Sequence, residues 1–300
     1  ENMQSSFNIS DDSAVKIVNS LLTQTQLNTF YLRELGEPQN YLSAPKSDEY
    51  YDIHLIEDAW NDFEQSLIDT TTFPQNYSEF INWYNELHSR HTKEVSCFFN
   101  WLANEATLEE LGFYIAMEEQ VDGRFDDVIA LAQLGLTGDM KLALAENYWD
   151  EMGLGKEAEM HTILFNKSAK KLSALLDNGV LTPKPPTEAL KNGNLLLMYS
   201  LRRQYHPRLL GALAILEHTA PYRFSKTVKA MQRLNLSEDI IYYHEMHIKI
   251  DANHGKQLLQ RVLLPLVKHN PEIIKEICIG CLTRYNIAID YYKSIRIAIS

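Results

Sequence analysis

The sequence predicts an all-α protein, and three observations carry that prediction. Apolar residues recur at intervals of three and four along most of the chain. No stretch sustains the period-two alternation of a half-buried strand. The glycines, prolines and asparagines fall between amphipathic runs of helical length.

Taken in order, residues 12–35 form a first helix on Val15, Val18, Leu21, Leu22, Leu27, Phe30 and Leu32, and a loop with Pro38 and Pro45 spans 36–48. A second helix at 49–69 carries Ile53, Ile56, Trp60, Phe63 and Leu67 and ends in a turn around Pro74. Ser78 is placed to cap a long amphipathic run to about 105, with Phe80, Trp83, Leu87, Val95, Phe98 and Leu102 inward. Shorter helices follow at 107–121, 125–135 and 138–152, each stopped at a glycine, and another spans 156–177 and stops at Asn178-Gly179. The linker Thr182 to Glu188, TPKPPTE, is held extended by its prolines. Helices resume at 188–218, break at Pro221, and continue at 222–234. A long helix at 237–269 with a kink at Pro265 and a last one at 271–297 close the chain. The expected organisation is residues 1–104 as an N-terminal helical extension with the first bundle helices, continuous with a helical bundle over 105–300.

Composition narrows the function. The 28 basic residues against 40 acidic ones leave a formal charge of −12, which argues against nucleic acid and anionic membrane surfaces as partners. No apolar run approaches the roughly eighteen residues of a spanning helix. The first residues, ENMQSSFNIS, are polar and lack a signal-peptide pattern, so a cytoplasmic protein is expected. Cys97, Cys278 and Cys281 make no disulfide framework, and the CIGC pair lies in a helical pattern without the strand unit of a redox fold.

The most informative stretch is Tyr242 to His254, YYHEMHIKIDANH. On a helix His247 and Asp251 are about 40° apart, and His254 lies about 20° from His247 on the other side. His244 sits about 60° off the stripe. Two imidazoles and a carboxylate suit a borderline transition metal such as iron. A polar stripe is ordinarily solvated, but this one is surrounded by Ile240, Ile241, Ile248, Ile250 and Leu258, so burial and partners are expected.

Further ligands must come from elsewhere. Glu118 and Glu119 sit near the end of LEELGFYIAMEEQ, and one of them faces inward with Leu108, Leu111 and Ile115. In NYWDEMGLGKEAEMH, an unbroken helix would put Glu151 and His161 about 15 Å apart. Gly153 and Gly155 interrupt it: either the break folds the chain back and brings both residues to one centre, or the glycines form an ordinary C-cap and His161 is a core histidine. Glu217 ends the apolar run LGALAILE, where a buried carboxylate needs a partner. His88 and His91 have charged neighbours and read as a solvated face. No Glu-x-x-His is present, HEMH is too short for the zinc-protease motif, and there is no glycine-rich nucleotide loop or nucleophile elbow. Arg202, Arg203 and Arg284 could each hold a substrate carboxylate, but each reads first as a surface or inter-helix ion pair, and Tyr243 and Tyr285 are candidate groups behind the ligands.

Taken together, Glu119 (or Glu118), FDDVIALAQLG at 125–135, NYWDEMGLG with His161, Glu217 before a proline, and HIKIDANH at 247–254 resemble the haem-oxygenase-like diiron oxidases and oxygenases, also called iron-containing redox enzymes. The resemblance covers roughly 105–270. It implies a haem-oxygenase-like bundle of about seven core helices that holds no haem. It also implies a metal set of Glu119, Glu151, His161, Glu217, His247, Asp251 and His254. One iron would take Glu119 and His161 with His247 or His254; the other would take Glu217, Asp251 and the remaining histidine, with Glu151 as an additional carboxylate. The implied cofactor is two Fe, with Mn/Fe as a variant, and the implied partners are O₂, an electron donor and an amino acid, amine or fatty acid. A bridging peroxide would carry the chemistry, N-oxygenation or oxidative cleavage of an amino-acid-like molecule. The resemblance allows a homodimer. Rival expectations are a metal-independent enzyme of the same fold, thiaminase-like or a cofactorless oxidase, and a non-enzymatic helical partner protein.

Overall fold

The computed structural model describes residues 16–39, 47–176 and 184–299, which are helical with no strand among them. The start of the expected first helix, much of the loop before 47, the stop at Asn178-Gly179 and the first two linker residues lie outside the described residues. The chain divides into two compact units, Glu1–Asp69 and Thr70–Ser300.

The smaller unit contains α1 (Leu21–Glu34) and α2 (Ser47–Ser66). Ser20 caps α1 by accepting from the Thr23 N–H at 3.1 Å. The two helices are joined by Tyr31 Oη donating to Glu57 at 2.8 Å and by a perpendicular Phe30–Tyr50 contact at 5.2 Å.

The larger unit contains α3 (Tyr77–Asn104), α4 (Leu108–Asp122), α5 (Phe125–Ala132), α6 (Gly138–Glu151), α7 (His161–Ser173), α8 (Thr187–Leu201), α9 (His206–Arg233), α10 (Glu238–Gln257), α11 (Leu264–His269) and α12 (Ile274–Ile299). The start of α4 is set by a capping box between Thr107 and Glu110. Asn76, not Ser78, caps α3, accepting from the Glu79 N–H at 3.1 Å. The central helix is α9, which packs on α10, α12 and α3; α10 also packs on α7, and α8 bridges α4 and α12. The core-facing residues of α9 run from Leu209 through Ile215 to Phe224 and Met231.

The break expected at Pro221 lies before α9. Pro221 was expected to break the chain, yet α9 runs through it. A proline inside a helix removes one N–H and strains the preceding turn. Around it Thr219 Oγ1 donates to Ile215 O at 2.7 Å, and a ring nitrogen of His88 lies 3.0 Å from His218 O. The break falls instead at Arg202–Tyr205, just before Pro207, whose ring fits the first turn of α9. The kink expected at Pro265 takes the form of a π-helical stretch, Leu258–Leu263, with Pro265 in the first turn of α11.

α9 and α10 cross at Gly255. A Cβ there would lie 2.5 Å from the Cα of His218 and 3.0 Å from the carbonyl carbon of Glu217. Only glycine permits this approach, and it brings Glu217 of one helix against His254 of the other.

Candidate metal centre

Six of the seven expected ligands meet in the core as two groups of three. Glu151, His161 and His247 form one, and Glu217, Asp251 and His254 the other. Within each group the offered ligand atoms lie within 4.8 Å of one another. None of the six is more than 6 % exposed, so the stripe on α10 is not a solvated face.

The first triad depends on the glycine break. After α6 the chain takes left-handed φ at Gly153 (+59°), Leu154 (+54°) and Gly155 (+83°), then a single 3₁₀ turn, and enters α7 at His161. This reversal places His161 Nδ1 3.0 Å from Glu151 Oε2 and 3.1 Å from His247 Nε2. His247 Nδ1 donates to Tyr243 O at 2.6 Å, which leaves Nε2 as its lone-pair nitrogen. Aromatic rings wall this triad: Tyr243 is 4.2 Å and Phe224 5.0 Å from the His247 ring.

In the second triad His254 Nδ1 lies 3.3 Å from Glu217 Oε2 and 3.9 Å from Asp251 Oδ1. Its other nitrogen, Nε2, is 2.8 Å from Asp150 Oδ2. Asn147 Nδ2 donates to both Glu217 oxygens, at 2.8 and 3.0 Å.

Electrostatics separate the groups further. Burial pushes Asp251 well above the usual carboxylate range, with the charge of Glu217 adding to it. Burial also pushes Glu151 up, against the pull of its hydrogen bond with His161. Burial and the nearby His161 hold His247 well below the ordinary histidine value. For His254 burial opposes the charge, but the bond to Asp150 and the neighbouring carboxylates of Glu217 and Asp251 raise it to about 11.

The donor set fits divalent metal. Three buried carboxylates have histidines for ion partners and, among the described residues, no lysine or arginine. His254 Nδ1 is buried without a hydrogen-bond partner. Two such triads can hold one cation each, and a set of three carboxylates and three imidazoles without cysteine suits iron or manganese rather than structural zinc.

Glu119 is not brought to either triad. It is exposed on α4, beside Gly123 and a groove that Lys170 also lines. The inward carboxylates of α4 are Glu118 and Asp122, one turn apart. Both face Arg223 of α9; Glu118 is ion-paired with it and also accepts from Tyr291 Oη at 2.7 Å, while Asp122 is 3.4 Å away. An inward carboxylate on this helix was expected, but its partner is a guanidinium that reaches in from α9. Arg223 in turn stacks on Phe224 at 4.2 Å.

The structure also revises the histidines and arginines outside the triads. His91 is buried, not solvated, and His88 stacks on His218 at 4.2 Å. His244 is buried against Phe224 and Tyr243 and belongs to neither group. Arg284 is buried and donates to Asn192.

Asn147, Asp150 and Arg223 are the site residues that sequence reasoning missed. Asn147 lies one helical turn before Glu151, a spacing that places it on the same face. Asp150 and Arg223 carried no such signal.

A family profile described as iron-containing redox enzyme matches residues 112–288, more than half of the chain and all six residues of the triads. The chain belongs to that family. Among solved structures, this iron-containing redox enzyme is similar to a domain of unknown function with a heme oxygenase-like fold from Shewanella denitrificans OS217. The TM-score is 0.57 at 15% identity, covering 73% of this chain and 92% of that one. It is also similar to a CADD-like protein of unknown function from Nostoc punctiforme PCC 73102, with a TM-score of 0.54 at 15% identity, covering 73% and 94%. At that identity the likeness establishes the fold, which is haem-oxygenase-like as the resemblance implied. A search of curated proteins returned no match. No helix of the described residues is long and apolar enough to cross a membrane.

Proposed function

We propose that this iron-containing redox enzyme is a non-haem diiron oxidoreductase that uses O₂ on an amino-acid-like small molecule. The observation that carries the proposal is the pair of buried His/carboxylate triads, donated by four helices and joined by His247, Asp251 and His254 on one stripe of α10. Glu151, His161 and His247 would hold one iron; Glu217, Asp251 and His254 would hold the other. Two ferrous ions bound there would supply the electrons that reduce O₂ and the oxidant that results. The chain's own residues present His161 Nδ1, His247 Nε2 and His254 Nδ1 toward the centre. The wall of Tyr243, Phe224 and Phe165 keeps water from that side. Mn/Fe occupancy is compatible with the same donors.

Such a centre could N-oxygenate or oxidatively cleave the molecule it holds, and Glu151 would serve either outcome as a ligand of the first triad. An external reductant would return the centre to the ferrous state after each turnover.

The test is anaerobic Fe(II) titration of the chain, then rapid mixing with O₂ under absorbance detection. Two irons per chain and a transient visible band are expected; His254→Ala should lose one equivalent. Absence of iron uptake, or two-iron loading retained in His254→Ala, would refute the assignment.

A further inference from the structure

We infer that Asp150 and Asn147, on the last turn of α6, are positioning residues for the second triad. Asp150 holds His254 as an Nδ1 ligand, and Asn147 holds Glu217 to ligation through one oxygen. The inference rests on the metal-centre reading above and deepens it.

An imidazole has two nitrogens, and the bond made by one decides what the other can do. The Nε2 of His254 is taken, 2.8 Å from Asp150 Oδ2. Its Nδ1 has no hydrogen-bond partner and points between Glu217 and Asp251. A carboxylate behind a ligating histidine fixes the tautomer, orients the ring and raises its basicity. Asp150 stands in that position.

Asn147 acts on the other ligand. Its amide nitrogen is nearly equidistant from the two oxygens of Glu217, at 2.8 and 3.0 Å. That point, on the outer edge of the carboxylate, is where a cation chelated by both oxygens would sit. The orientation of the amide follows from charge, because its oxygen would be repelled there. With Nδ2 in place, Glu217 has only its outer lone pairs for a metal. Ligation through one oxygen leaves a coordination position open for a small molecule, as catalytic sites require.

The two supports and one ligand share a single helical turn. Asn147 and Glu151 are four residues apart and lie on one face. Asp150 is next to Glu151, about 100° around the helix. Thus α6 gives Glu151 to the first triad while bracing both Glu217 and His254 of the second. The first triad is braced differently: His247 is oriented by the main-chain carbonyl of Tyr243. A substitution at Asp150 therefore acts on one metal and spares the other.

Asp150 suits a clean test because its side chain is about a third exposed, so its loss opens no core cavity. The measurement is anaerobic Co(II) titration of the full chain, followed by visible absorption and by proton NMR of hyperfine-shifted exchangeable signals. Wild type should bind two Co(II) and show the His254 Nε2–H among those signals. In Asp150→Leu that signal should be lost to solvent exchange, and the second equivalent should bind about 10–100-fold more weakly with the first unchanged. Asp150→Asn keeps an acceptor and should restore the signal and most of the affinity. In Asn147→Ala, Glu217 is free to chelate, and the visible bands of the second Co(II) should weaken as its coordination number rises. Thermal unfolding of the metal-free variants confirms that they fold.

If wild type binds two Co(II) and Asp150→Leu does so with the same affinity and the same signals, the role of Asp150 is overturned while the metal centre stands. Unchanged band intensity in Asn147→Ala overturns the role of Asn147. If wild type itself binds no Co(II), the metal-centre reading fails and this inference with it.

Discussion

Substituting Gly255 by alanine tests how α9 and α10 build the second triad. The added methyl would lie 2.5 Å from the Cα and 2.7 Å from the nitrogen of His218, and 3.0 Å from the carbonyl carbon of Glu217. Carbon atoms pack best at about 3.5–4.0 Å, so the helices must separate by roughly 1 Å. All three atoms are backbone, and no side chain can rotate away. Overpacking of this kind costs about 1–3 kcal/mol. Replacing glycine by alanine inside a helix returns about 1 kcal/mol. The net expectation is a loss of up to about 2 kcal/mol in urea unfolding of the metal-free protein, roughly the difference of those two terms. The larger effect should be on metal, because the separation falls where Glu217 stands 3.3 Å from His254. Loading of the second site should drop, with the first triad retained. Asn253→Ala, on the exposed side of the same helix, should change stability by no more than about 0.5 kcal/mol. Wild-type stability together with full two-metal loading in Gly255→Ala would refute the reasoning.

Other perturbations separate neighbouring groups. Arg223→Met leaves Glu118 and Asp122 buried beside each other without their cation, and a loss of about 3–5 kcal/mol is expected in chemical unfolding. Glu119→Gln should leave metal stoichiometry unchanged by anaerobic titration, since its carboxylate is exposed on α4; loss of one equivalent would restore it as a ligand. His91 is held down to about 3 by burial, with Arg284 and His88 adding to it. Its folded value lies below the ordinary value of about 6.5, so the unfolded chain takes up the proton first. The stability from keeping His91 neutral is therefore complete above about pH 6.5 and is lost as pH falls toward 3, by up to about 1.4 kcal/mol per unit. His91→Phe should show a shallower loss of stability between pH 7 and 5 than wild type, measured by urea midpoints; equal slopes would refute this.

The all-α class was legible because the apolar spacing of three and four is a local property that each segment carries for itself. Helix starts were less so: Ser78 reads as the cap of α3, but Asn76 two residues earlier accepts the Glu79 N–H. The three donors on α10 were legible for the same reason: helical periodicity alone sets their common stripe. The two prolines of α9 show where local reading stops. Both Pro207 and Pro221 can end a helix, yet only the chain before Pro207 breaks, while α9 runs through Pro221 packed between α10, α12 and α3.

The stripe of donors on α10 was therefore written in the sequence, but the membership and partition of the two triads were not. Which histidine joins which carboxylate depends on the register between helices, and that register is set by contacts far apart in the chain. The close approach at Gly255 pairs His254 with Glu217; the left-handed turn at 153–155 returns His161 to Glu151 and so to His247. Glu119 shows the same limit from the other side. One residue along a helix is a rotation of about 100°. Periodicity placed one carboxylate of α4 inward, and only the arrival of Arg223 from α9 determined that it meets a guanidinium instead of a metal triad.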